Sequence, residues 1–79
     1  MKLTYDPRRN IAYLSFQEKD AEVETIRVSD ELNVDLAPDG TVYGVELLNA
    51  NERLRASDDG LLVVVNEAIG DQREIRLIG

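Results

Sequence analysis

At 79 residues, with 43 % hydrophobic and 32 % charged residues, the chain has the size and composition of one small globular domain spanning residues 1–79. Its net charge of −7 repels phosphate backbones and its basic residues are scattered, so we expect no nucleic-acid ligand. The absence of cysteine and histidine excludes disulfides, thiolate chemistry and the imidazole that most hydrolases and zinc sites use.

Alternation of apolar and polar residues predicts two strands at the start of the chain, over residues 2–5 and 11–16. The segment between them, DPRRN, has turn chemistry. Proline fixes φ, while aspartate and asparagine bond the neighbouring backbone or adopt left-handed geometry. The sequence therefore predicts an opening β-hairpin.

Two further strands are predicted over residues 22–28 and 32–36. The first is rich in β-branched residues, and the second has a clean period of two. That period places one set of side chains in the core and the other in water, namely Leu32, Val34 and Leu36 against Asn33 and Asp35.

The sequence Ala37-Pro38-Asp39-Gly40 favours a type I turn followed by a bulge, with glycine where φ must be positive. This turn accounts for the presence of an aspartate at position 39 without a functional role. Residues 41–48 then predict a strand with apolar residues on both faces, which indicates a central position in the sheet. Gly44 within it indicates a bulge or a close backbone approach.

The last third of the chain allows more than one interpretation. Residues 49–55 predict a turn or a single helical turn, with Asn49 or Asn51 as the N-cap. Residues 57–70 fit a helix that Ser57 caps and Gly70 ends, with an apolar stripe at Leu61, Leu62, Val65, Ala68 and Ile69.

The alternative for the same segment is a strand, because Val63-Val64-Val65 is a β-branched run and Gly60 weakens an early helical turn. We favour the helix. Residues 73–78 alternate again and predict a closing strand. The predicted fold class is α+β: a small, mainly antiparallel β-sheet, a meander of about five to six strands, with one short helical segment near the C-terminus.

No stretch of the chain is long and apolar enough to cross a bilayer, since the longest apolar run covers only residues 60–65. The opening MKLTYD lacks the apolar segment of a signal peptide. We therefore expect a soluble, cytoplasmic protein that does not bind membranes.

Carboxylates are the remaining groups that could carry chemistry, and the densest set is Asp30, Glu31, Asp35, Asp39 and Glu46. Their spacing does not supply the alternating oxygen ligands of a calcium loop. We expect these groups to lie on solvated faces and turns. We predict no catalytic residue, no metal ligand and no cofactor.

Glu46 lies between apolar neighbours on the predicted central strand, where an unpaired carboxylate would be costly to bury. We expect it to pair with Arg27, Arg53 or water. The three tyrosines, Tyr5, Tyr13 and Tyr43, are expected to be half-buried with their hydroxyls in water.

The segments LTYDPRRNIAYLSF and NVDLAPDGTVYGVELLNANERL, within about residues 1–55, resemble the small bacterial domains grouped as domain of unknown function 2283. Members typically open with Tyr-Asp-Pro, continue with an alanine-tyrosine strand, and carry a Val-Asp hairpin followed by Gly-Ile-Glu-Ile. The matching residues are Tyr5-Asp6-Pro7, Ala12-Tyr13, Val34-Asp35, Gly40 and Gly44-Val45-Glu46-Leu47. The resemblance implies a β-rich domain without an assigned activity. Some relatives are thought to sit beside small toxin-like proteins, which fits an antitoxin-like role.

The leading functional hypothesis is a non-enzymatic protein-interaction module that forms a homodimer or binds a basic, toxin-like protein. Its exposed sheet edge or its late apolar segment, which includes Val63 and Val64, would form the contact. The alternative is a small-molecule or divalent-cation binding domain, or a weak enzyme, that uses Asp35, Glu46 and a tyrosine.

Overall fold

The computed structural model describes residues 1–18, 22–56 and 58–78. These residues form seven β-strands, one α-helix and one 3-10 turn. In chain order the elements are β1 (Lys2–Asp6), β2 (Ile11–Ser15), β3 (Glu24–Arg27), β4 (Leu32–Leu36), β5 (Val42–Leu48), α1 (Ala50–Ala56), the 3-10 turn (Asp58–Gly60), β6 (Leu61–Asn66) and β7 (Asp71–Arg76).

The first five strands form one antiparallel sheet in the order β1-β2-β5-β4-β3, and β6 pairs with β7 in a separate hairpin. The α+β, mainly antiparallel fold class is confirmed, and so is the central position of β5. The order departs from a simple meander at one point. The β1–β2 hairpin joins the sheet beside β5, so β2 and β3 lie far apart although they follow one another in the chain.

The β4–β5 connection is the predicted turn. The Gly40 amide donates to the Ala37 carbonyl at 2.9 Å, and Gly40 has a φ of 89°. Asp39 Oδ1 accepts from the Thr41 amide at 2.9 Å, so Asp39 belongs to the turn as expected. The pairing then shifts by one residue beside Gly44, which confirms the predicted bulge.

One face of the five-stranded sheet, here called the apolar face, carries two rows of cross-strand neighbours. The rows are Leu3, Leu14, Val45, Val34 and Ile26, followed by Tyr5, Ala12, Leu47 and Leu32. Ala12 is buried, whereas the other members are half-buried or, at Ile26, 41 % exposed. The helix α1 contacts β2 at one end of the sheet. Over the described ranges, α1 is the element outside this sheet with the more extensive contact to it, and most of the apolar face stays half-buried.

Helix α1 is the short helical turn expected after β5, and it is anchored by the β1–β2 turn. Ala50 at its start is fully buried. Asn10 Oδ1 accepts from the Asn51 amide at 2.7 Å. The side chain that caps this amide is therefore that of Asn10, and not that of the predicted caps Asn49 or Asn51. Asn51 in turn donates through its side chain to the Pro7 carbonyl at 3.1 Å. Within the described ranges, no helix has the length and apolar character needed to cross a bilayer.

The helix favoured for residues 57–70 is wrong, and the alternative strand is correct. Residues Leu61–Asn66 form β6, which pairs in register with β7. The β-branched run decided the conformation, and the apolar spacing that resembled a helical stripe is divided between β6 and the following turn. In that turn Asn66 Oδ1 accepts from the Ala68 amide at 3.1 Å and Gly70 has a φ of 69°. The proposed cap Ser57 lies outside the described residues.

Candidate functional site

The opposite face of the sheet carries a polar cluster built from three strands. The Tyr13 hydroxyl of β2 donates to Asp35 Oδ2 of β4 at 2.7 Å, and the Thr25 hydroxyl of β3 donates to Asp35 Oδ1 at 2.7 Å. Asp35 is buried, with 8 % of its surface exposed. The expectation that Asp35 faces water is therefore wrong. Alternation placed it on the correct face, but the tyrosine and the threonine cover it there.

Gly44 makes the cluster possible. It lies on β5, between Tyr13 on one neighbouring strand and Asp35 on the other. A Cβ atom at Gly44 would stand 2.6 Å from the Tyr13 hydroxyl and 2.6 Å from the Leu14 carbonyl oxygen. The Tyr13 ring thus crosses the sheet over Gly44, and any side chain at this position would block it. The close approach predicted for Gly44 is confirmed.

Glu46 lies on the same polar face, where its partner is an amide and not an arginine. The Asn33 side chain donates to Glu46 Oε1 at 3.0 Å from the directly opposite position on β4. The predicted arginine partners make ion pairs elsewhere: Arg53 lies 3.9 Å from Glu31, and Arg27 lies 3.2 Å from Asp30.

The tyrosine hydroxyls are also less exposed to water than the sequence suggested. The Tyr5 hydroxyl donates to Asn51 Oδ1, which ties β1 to α1, and the Tyr13 hydroxyl is occupied by Asp35. Tyr43 is buried, with 2 % of its surface exposed. Tyr5 and Tyr13, which are half-buried as expected, thus fasten elements of the fold to one another.

The chemistry that the polar cluster can perform is limited by its hydrogen bonds. Both oxygens of Asp35 accept from hydroxyl groups and the residue is buried, so a substrate or cation would have to reach its remaining lone pairs past the Tyr13 and Thr25 side chains. Asp39 lies apart from the cluster, in the β4–β5 turn, where the backbone amide of Thr41 and then its side chain lower the pKa of the Asp39 carboxyl. Over the described part of the chain, no three acidic side chains are grouped as a metal site would require.

Two surface hollows of the molecule do not coincide with these carboxylates. One, of about 440 Å³, is lined by Glu22, Val23, Glu24 and Pro38 near the start of β3. Another, of about 250 Å³, lies at the open end of the β1–β2 hairpin and is lined by residues 1–2 and 15–18. Both are shallow and open, and neither brings Asp35 or Glu46 into contact with a ligand.

The apolar surface of the molecule is the second candidate site. Besides the apolar face of the sheet, the β6–β7 hairpin exposes about half of Val64, Val65 and Ile75, at 51 %, 50 % and 51 %. Ile69 at its tip is 74 % exposed. Isolated apolar residues are common on protein surfaces, whereas contiguous rows such as those of the apolar face are typical of a contact surface.

A family model described as "Protein of unknown function (DUF2283)" matches residues 2–51, which confirms the resemblance seen in the sequence. The match includes Tyr13, Asp35 and Gly44, so three of the residues that carry the resemblance build the polar cluster. Thr25 was missed from the sequence, because only the three-dimensional pairing of β3 with β4 places it beside Asp35. No curated protein and no solved structure matches the chain.

Proposed function

Since the chain belongs to the DUF2283 family, whose description assigns no activity, we propose a function from its surfaces: a non-enzymatic protein-interaction domain. The observation that carries the proposal is the uncovered apolar face of the five-stranded sheet. A sheet with one apolar face gains stability by packing that face on another layer. The described part of the chain supplies only α1, at one end, so the proposed layer comes from a partner protein.

The dimensions of the molecule support this proposal. Its accessible surface is 5949 Å², whereas a compact monomer of 8.9 kDa exposes about 4,800 Å². Its radius of gyration is 14.0 Å, against about 12 Å for a compact chain of this length. The molecule is therefore more open than a compact chain of its size, which leaves surface that a partner could cover.

The alternative, a ligand-binding domain or weak enzyme that uses Asp35 and Glu46, has less support. The hydrogen bonds of Asp35 are made within the sheet, and its carboxylate is buried. Such a carboxylate stabilises the packing of three strands. Removing it from this network to bind a ligand would leave the Tyr13 and Thr25 hydroxyls without their partner.

The net charge of −7 favours a basic protein as the partner. The acidic chain would then bind a basic protein in the cytoplasm, as an antitoxin binds its toxin. Opposite net charges speed the encounter of two proteins by electrostatic steering. If the partner is basic, we expect the association rate of the two proteins to fall steeply as salt is added. Stopped-flow mixing over a range of ionic strengths measures this rate.

Affinity capture from the source cell tests the proposal when it is done with two matched variants. Ile26→Glu adds a charge to the apolar face, whereas Arg27→Glu adds the same residue to the next position of β3, on the opposite face. We expect wild type and Arg27→Glu to retain the same proteins, other copies of the chain included, and Ile26→Glu to lose them. Two results together would replace this proposal with the ligand-binding alternative. The first is that no retained protein depends on Ile26. The second is that a metabolite or divalent cation raises the Tm of wild type but not of Asp35→Asn.

A further inference from the structure

The charged residues of the five-stranded sheet are distributed unequally between its two faces. Both cations and most of the acids of these strands lie on the polar face, namely Lys2, Asp6, Arg27, Asp35 and Glu46. The charged strand residue on the apolar face is Glu24, which pairs with Leu36 and lies two positions before Ile26 on β3. A protein that packs on the apolar face therefore meets a carboxylate at its β3 side.

Glu24 also lines the hollow of about 440 Å³ at the start of β3, together with Glu22, Val23 and Pro38. Neither glutamate is ion-paired with a described residue, whereas Glu31 lies beside an arginine. The two side chains are exposed. Glu24 thus joins the apolar face to a hollow that has both acidic and apolar walls.

The apolar face is more open on its β3 side than on its β2 side. At one end of β2 the helix α1 packs on the sheet, and Tyr5 of the apolar face donates to Asn51 of α1. On β3, Ile26 is 41 % exposed. A helix is the usual second layer on a sheet of an α+β domain. A further helix beside α1 would continue this layer toward β3.

The size of the face sets the length of such a helix. Five strands at a spacing of about 4.8 Å make a face about 19 Å wide, and strands of about five residues make it about 17 Å long. A helix rises about 1.5 Å per residue, so about 11 to 13 residues span the face in either direction.

We propose that the partner contacts the apolar face through an amphipathic helix of about 11 to 13 residues, whose apolar side lies over Val34 and Ile26 and whose lysine or arginine pairs with Glu24. This inference rests on the proposed function and names the chemistry of the partner's contact segment. The apolar side chains supply the buried area, and the cation fixes the orientation of the helix. The aliphatic stem of the cation lies along Val23 and Pro38, with its charged end near the glutamates.

A library of displayed 13-residue helices tests the assignment. Every member carries the same apolar stripe, and each position beside the stripe carries either lysine or glutamate. We expect selection on wild type to enrich lysine over glutamate by roughly tenfold at the position that faces Glu24, and less at the others. Ile26→Glu should retain no member, because it places a carboxylate under the apolar stripe. Circular dichroism checks that this variant keeps its strands.

Two charge reversals separate a local ion pair from the attraction of the whole acidic chain. Glu24→Lys and Glu67→Lys change the net charge of −7 by the same amount, and Glu67 is an exposed residue between β6 and β7. We expect Glu24→Lys to turn the preference at the facing position toward glutamate, and Glu67→Lys to leave it at lysine. A lysine preference that survives Glu24→Lys, or that weakens equally in both variants, overturns the assignment.

A second library, of displayed β-hairpins with the same apolar and charged residues, offers a sheet as the covering layer. If the tightest binders that depend on Ile26 are hairpins, the helix is wrong. If neither library yields such binders while captured cell proteins still depend on Ile26, this inference fails and the proposed function stands. If captured proteins do not depend on Ile26 either, both fail.

Discussion

The Tyr13 hydroxyl donates a 2.7 Å hydrogen bond to Asp35 across the whole width of the central strand, because β5 lies between the strands that carry them. This bond joins the β1–β2 hairpin to the β3–β4–β5 part of the sheet through side chains, in addition to the backbone ladder between β2 and β5. This hydrogen bond, which passes over Gly44, explains why Tyr13, Asp35 and Gly44 form one structural unit although they are distant in the chain.

Replacing Tyr13 with phenylalanine should lower the free energy of unfolding by about 1–3 kcal/mol, because the buried Asp35 carboxylate loses one of its donors. Urea denaturation measures the loss. A double-mutant cycle with Asp35→Asn should show a coupling on the order of 1 kcal/mol between the two sites. Additive losses would mean that the two side chains do not act together.

Gly44→Ala should destabilise the protein by roughly 1–3 kcal/mol, since the new methyl group overlaps the Tyr13 hydroxyl and the Leu14 carbonyl. In a Tyr13→Leu background one of these obstacles is gone, so the cost of Gly44→Ala should fall. Gly40→Ala is the control: it has open space around it but a φ of 89°, and its cost should not change with the residue at position 13. An equal cost of Gly44→Ala in both backgrounds would contradict the crossing of the ring over Gly44.

Asn10 should contribute to stability through its side-chain oxygen as well as its left-handed backbone, which has a φ of 61°. Asn10→Gly keeps the backbone conformation but removes the acceptor of the Asn51 amide, and we expect a loss of roughly 1 kcal/mol. Asn10→Asp keeps the acceptor of the Asn51 amide and loses only the long 3.4 Å bond that the Asn10 amide donates to Asn49 Oδ1, so it should cost less than Asn10→Gly. Thermal denaturation of the two variants side by side gives the difference, and equal losses would count against the capping role.

Asp39 should make stability depend on pH in the acid range. Its pKa is lowered from 3.8 in the folded state, so the folded chain favours the charged form, and the stabilisation is present above 3.8 and lost as the pH falls through the lower folded value. Asp39→Asn keeps an accepting oxygen for Thr41 but carries no charge. We expect wild type to have the higher Tm at pH 7 and the two Tm values to converge in acid. A gap that stays constant down to pH 2 would exclude this contribution.

Alternation, β-branched residues and turn chemistry in the sequence were sufficient to predict the existence of β1 to β5, because these signals depend on neighbouring residues alone. They failed in the segment 57–70, where apolar residues lie close enough together to satisfy a helical spacing as well. There the decision depended on the pairing of β6 with β7, in which Leu62 lies opposite Ile75. A partner strand is a long-range contact that local spacing does not contain.

The burial of Asp35 could not be predicted for a related reason. Its position in β4 indicates a solvent-facing side chain, and only the order of strands brings Tyr13 and Thr25 over it. Gly44 was the one available signal, because a glycine within a strand indicates a close approach. It does not show which side chain approaches. The arginine partners expected for Glu46 failed likewise, because the cross-strand register gives it Asn33.

The edge of the sheet at β3 is poorly suited to the addition of strands from further molecules. All four residues of β3 are exposed, and the strand begins with Glu24 and ends with Arg27. A further molecule that added its own strand to this edge in the manner of a fibril would have to align charged side chains along the new seam. The charged ends of β3 thus disfavour fibril-like growth at this edge.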